Sequence, residues 1–85
     1  MIIQSTNNDA EANRPLLLSA DRAAKLIGVG RTHFYGMHGS GRLGPLPVRL
    51  GKRALWRRSE LESWVNGGCP SRERWQARIE EKSGL

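Results

Sequence analysis

The chain has a single cysteine, Cys69, so an intramolecular disulfide is excluded. With no second thiol or adjacent base, that cysteine is expected to be inert, in keeping with a reducing cytoplasm. Only His33 and His38 are histidines, and a spacing of five is poor for two ligands on one helix face, so no metal site is expected. No apolar run approaches the ~18–20 residues that cross a bilayer. The opening stretch MIIQSTNNDAEAN lacks the basic start and long apolar stretch of a secretory signal. A cytoplasmic, nucleoid-associated protein without membrane contact is therefore expected. There is no glycine-rich phosphate loop and no nucleophile–His–acid set. Glu60 and Glu62, two residues apart, point in different directions on a helix and make no acid–base pair. No catalytic residue and no cofactor are expected, and an enzyme is not the predicted class.

Acidic residues are scarce where basic ones concentrate. The 85 residues carry 14 Lys and Arg against 8 Asp and Glu, a formal net charge of +6. Between Arg14 and Arg58 there are ten basic residues and one acid, Asp21, a net of +9. The first thirteen residues net −2 and residues 59–85 net −1. The isoelectric point, near 10.8, lies above the value of roughly 9 that marks a nucleic-acid-binding domain. A basic surface also aids solubility, but a nearly acid-free stretch of this length points to a polyanionic partner.

The length allows one small domain with a thin core. Residues 1–14 are polar and read as a flexible N-terminal tail. Leu16–Leu18 then form an apolar lead-in. Ser19 is a helix N-cap, its hydroxyl placed to accept from an orphan amide. A helix is predicted over Ala20–Ile27, with Ala23, Leu26 and Ile27 on one face. Gly28-Val29-Gly30 makes a tight turn. A second short helix is predicted from about Arg31 to His38, with Phe34 and Met37 facing the first. Pro45 and Pro47 exclude a helix beyond it. Pro47–Leu50 and Ala54–Arg57 read as a small β-hairpin turning at Gly51-Lys52. A third helix runs from Arg58 or Ser59 to about Asn66, with Leu61, Trp64 and Val65 on its apolar face. Gly67-Gly68 stops it. The expected domain therefore covers residues 15–67. A C-terminal helix within residues 68–85, from Ser71 to about Lys82 and carrying Trp75 and Ile79, is expected to dock weakly, meet a partner or fray.

Two helices at a sharp glycine-containing turn form a helix-turn-helix, and a basic hairpin after them is a wing. The predicted fold class is thus mainly α with a small β-hairpin, a winged helix-turn-helix. In that arrangement the second helix presents its N-terminal residues to the major groove. The stretch Leu16–Val65 resembles the AlpA-like phage regulatory and excisionase family, which shares a winged helix-turn-helix with MerR-type regulators. AAKLIGVGRTHFY (Ala23–Tyr35) resembles its paired helices. PVRLGKRALWRRSELESW (Pro47–Trp64) resembles its wing and third helix. Gly36 and Gly39 depart from the family's pattern, standing where it often has basic residues. The resemblance implies sequence-specific binding to double-stranded DNA by a transcription regulator, or by a recombination directionality factor of a phage or integrated element. It implies DNA-facing Arg31, Thr32, His33 and Tyr35 on the second helix and Lys52 and Arg53 on the wing, with Arg42 and Arg49 beside them. An integrase or RNA polymerase would be the protein partner, and a second copy could bind cooperatively at an adjacent site.

Each position has a plainer reading. Arg31 is suited to pairing bidentately with guanine, or to holding a phosphate that carries no sequence information. Thr32 is a helix cap or a DNA contact. Tyr35 divides its ring and hydroxyl between core and phosphate. His33 is a polar DNA-facing residue and His38 a surface or turn residue. Trp56 and Trp64 belong to the core, whereas Trp75 covers a core edge or marks a protein contact. The alternative function is a protein-interaction module, using the basic face and the Trp75/Ile79 helix.

Overall fold

The computed structural model describes the backbone of residues 14–83 and the side chains of residues 14–81. The expected tail, residues 1–14, lies outside the described residues except for Arg14. In chain order the elements are β1 (Leu17–Leu18), α1 (Ala20–Ile27), α2 (Arg31–Ser40), β2 (Val48–Leu50), β3 (Arg53–Arg57), α3 (Arg58–Asn66) and α4 (Arg72–Ser83). Among the described residues the protein is mainly helical, with four helices and a small three-stranded antiparallel sheet of order β1-β3-β2.

α1 begins and ends where its sequence says. The Ser19 hydroxyl accepts from the Arg22 amide at 3.4 Å. Gly28 closes the helix at φ 87°, with its N–H on the Ala24 carbonyl at 2.9 Å. The left-handed conformation there favours a residue without a Cβ. The buried face differs from the expected one. Ala20, Ala23 and Ala24 are buried and Ile27 partly so, while Leu26 is 39% exposed. An alanine face lets the α1 backbone come close to its neighbours, and the bulkier Leu26 is left on the rim.

α2 starts at Gly30, which makes no side-chain cap bond, and runs two residues beyond the expected end. It tolerates Gly39 and stops at Gly41, which takes φ 82° and donates to the Met37 carbonyl. Its one fully buried side chain, Phe34, meets Trp56 edge to face at a centroid distance of 5.0 Å.

The expected hairpin is present, and the lead-in before α1 extends it. Leu17 and Leu18 pair with Arg57 and Trp56, so β3 is the central strand. Val48, Arg49 and Leu50 pair with Leu55, Ala54 and Arg53. Arg53 is therefore the first residue of a strand, and Gly51-Lys52 is a two-residue turn. Gly51 at φ 61° supplies the positive dihedral that such a turn needs. The loop before the hairpin is a core component: Leu43 is fully buried, and the Pro45 carbonyl accepts from the Trp56 indole at 3.3 Å.

α3 buries Leu61 and Trp64, but Val65 is 42% exposed. α4 docks on the loop between α2 and β2 through specific bonds. Arg72 donates through Nε to the Leu43 carbonyl at 3.2 Å, and Gln76 donates to the Gly44 carbonyl at 3.0 Å. Trp75 is only 8% exposed, and its indole donates to Glu60 Oε2 at 2.9 Å. A Cβ at Gly44 would lie 2.6 Å from Trp64 Nε1 and 2.8 Å from the Trp75 Cβ, so only glycine lets the loop pass between the two tryptophans. The weak docking or fraying allowed for this helix is not what the structure has. The sequence shows Trp75 and Ile79 as the clear apolar residues of α4, and the structure adds to their packing polar bonds to the backbone carbonyls of His38, Leu43 and Gly44.

Candidate nucleic-acid interface

α2 turns Phe34 inward, and the helical period then leaves Thr32, His33 and Tyr35 outward, while Arg31, one turn before Phe34, is exposed at the first position of the helix. All four are exposed. Arg31 reaches back to Asp21 on α1, with Nε 3.8 Å from Oδ1, and its guanidinium stands 6.0 Å from the Tyr35 ring centroid. Both side chains of the ion pair are more than half exposed, so its contribution to stability is small. The single acid of the basic stretch is therefore positioned on the first cation of α2.

Further along α2 the outer surface is nearly bare. A Cβ added at Gly36 or Gly39 would meet nothing within 4 Å. His33, Gly36, Met37, Ser40 and Arg42 line a shallow depression of about 270 Å³. His33 and Arg42, distant in sequence pattern, thus share one edge.

The hairpin cations do not form one surface. Strand side chains alternate between faces. Arg49 opposes Ala54 and shares its face, which is also the Trp56 face; Arg53 opposes Leu50 on the other. Arg49 acts electrostatically on His38 of α2. Arg53 lines a depression of about 340 Å³ with Leu17, Ser19, Arg22 and Leu55. Lys52 is exposed at the turn. The single wing expected from sequence is divided: Arg49 goes with α2, and Arg53 goes with the start of α1. The larger groove between α1 and α3, about 420 Å³ and lined by Leu26, Ile27, Leu61, Glu62, Val65 and Asn66, contains no cation and lies apart from this surface.

Three participants were not foreseen. Arg22 was visible only as one more basic residue, since nothing local says what faces it. Asp21 was visible as the lone acid, but not as the partner of Arg31. His38 was expected at the surface and is instead held between elements. Arg72 donates to both its Nδ1, at 3.0 Å, and its carbonyl, at 2.8 Å. The Trp56 ring stands edge-on to the imidazole at 5.4 Å. Burial, then the Arg72 and Arg49 charges, push its pKa below the ordinary value. The Arg72 guanidinium also meets the carbonyl end of α2, where a cation is favourable.

Among the described residues, no group of three His, Cys, Asp or Glu could hold a metal ion. Cys69 is exposed in the turn between α3 and α4 at φ 55°. Among the described residues no helix is long and apolar enough to cross a membrane. No protein-family model matches the chain, and neither a curated protein nor a solved structure does.

Proposed function

We propose that this protein binds double-stranded DNA in the manner of a winged helix-turn-helix, with α2 in the major groove and the β2–β3 hairpin as the wing. The observation that carries the reading is the outer face of α2. Arg31, Thr32, His33 and Tyr35 are all exposed there, beside a hairpin with Arg49, Lys52 and Arg53 and with only Asp21 as an acid between Arg14 and Arg58. The absence of side chains at Gly36 and Gly39 supports it further, because a helix bare on its outer face can sit close to a groove wall. Affinity then comes from counterion release by the cations and is salt-dependent. Base preference comes from the first turn of α2. The resemblance to AlpA-like regulators and excisionases makes the biological role a transcription regulator or recombination directionality factor of a phage or integrated element.

Burial of Trp75 weighs against the alternative of an interaction module anchored by Trp75 and Ile79. The indole is packed against Gly44 and bonded to Glu60, so it is not on offer to a partner. A gel shift with specific and scrambled duplex at two salt concentrations tests the proposal. Binding in low salt that weakens steeply with added salt is expected. No duplex binding in low salt overturns it.

A further inference from the structure

We propose that Arg22 of α1 and Arg53 of β3 together form a seat for one backbone phosphate of the bound duplex. The inference rests on the DNA-binding reading above and assigns to it a contact outside α2 and the hairpin turn. Four observations carry it. The two arginines come from elements far apart in sequence, yet both line the same open depression of about 340 Å³. Its other walls are Leu17, Ser19 and Leu55, so no acid lines it. Arg14, Arg31 and Arg57 each have a carboxylate within 4 Å, and among the described residues neither Arg22 nor Arg53 has one. Two like charges in one depression repel unless an anion sits between them.

The fourth observation is position. Arg22 follows Asp21, the residue that pairs with Arg31 at the start of α2. Arg53 precedes Ala54 and adjoins Lys52 at the hairpin turn. Arg22 and Arg53 thus come to one depression from α1 and from the strand that leaves the hairpin turn, each next in sequence to a residue of the proposed interface. A phosphate seated there meets cations from two elements. The guanidinium fork suits phosphate oxygens because it donates two parallel N–H bonds.

The test is the salt dependence of duplex binding by the full chain. Each phosphate neutralised contributes about 0.9 to the slope of log affinity against log salt. Arg22→Gln is expected to lower the slope by about that amount, equally for specific and scrambled duplex. Arg22→Lys, which keeps the charge, is expected to keep the slope. Because the seat holds its phosphate only with both guanidinium groups in place, losing either releases it, and Arg22→Gln with Arg53→Gln is expected to lose about as much slope as either alone, not twice as much. An unchanged slope in folded Arg22→Gln overturns the proposal while leaving the DNA reading in place. Additive losses also overturn it, since they mean two separate phosphates. Failure of the unsubstituted protein to bind duplex at low salt overturns both.

Discussion

From Ser59 onward several polar side chains are used on the protein itself. Glu60 receives the Trp75 indole at 2.9 Å and the Arg57 guanidinium at 3.3 Å. Arg72 and Gln76 donate to loop carbonyls, and Trp64 donates to the Pro70 carbonyl at 2.8 Å. Between Arg14 and Arg57 the charged side chains are exposed, while Arg58 is partly buried, and Asp21 offers the only acid of that stretch to Arg31. Both regions are rich in arginine. What separates them is how firmly the guanidinium is held. Arg72 is part-buried and bonded to two backbone carbonyls, Arg31 keeps only an exposed ion pair, and among the described residues Arg22 and Arg53 have no carboxylate within 4 Å.

That contrast can be broken or sharpened by substitution. Gly44→Ala is expected to have the largest effect, because its Cβ would press on both Trp64 and Trp75. Overpacking of this kind costs about 1–3 kcal/mol, read as a lower urea midpoint by tryptophan fluorescence. An unchanged midpoint would mean that the C-terminal region is not closed on itself. Lys52→Ala with Arg53→Ala addresses the other region. It is expected to flatten the salt slope of duplex binding by about 2 units and weaken all sequences alike. Stability should change by no more than about 0.5 kcal/mol, as for other surface positions. A retained slope would remove the hairpin from the interface.

Arg31→Ala is expected to cost about 1–3 kcal/mol on preferred sites and to relax base preference at one position. Selection of bound fragments from a randomised pool reads this out, and an unaltered preference would reduce Arg31 to a phosphate contact. The smallest effect concerns His38, where the two regions meet. Burial and the Arg72 and Arg49 charges hold its folded pKa below its ordinary value of 6.5. The unfolded chain therefore takes up the proton first as pH falls. The contribution to stability is complete above about 6.5 and is lost as pH drops from there through the folded value. Urea midpoints across pH 4.5–7.5 should show this decline (about three units spanning the His range), and His38→Gln should flatten it. An identical profile in His38→Gln would exclude His38 as the source.

Local chemistry made much of the fold legible. Ser19 and Gly28 bound α1 because a hydroxyl cap and a left-handed glycine act within one turn. Gly51-Lys52 marked the hairpin because a two-residue turn needs a positive φ. The extended lead-in over Leu16–Leu18 was legible but its pairing was not: two leucines have no local signal for a partner, and their ladder to Trp56 and Arg57 is made across the molecule. The exposed faces of Leu26 and Val65 were misjudged because hydropathy does not report what lies opposite a residue. At the candidate site, the outward Thr32, His33 and Tyr35 of α2 followed from helical period, whereas the exposure of Arg31 and the separation of Arg49 from Arg53 needed the tertiary structure.

The sequence by itself determined the element order, the caps and turns, and the concentration of positive charge between Arg14 and Arg58, because each depends on residue type and near neighbours. Tertiary structure decided which cations have partners. Distances between Asp21 and Arg31, Arg22 and Arg53, or Arg72 and His38 arise only when α1, the sheet and α4 close on one core. Coulombic and hydrogen-bond energies depend on those distances and not on separation along the chain. The same closure hid Trp75 and, among the described residues, left Arg22 and Arg53 with no carboxylate within 4 Å.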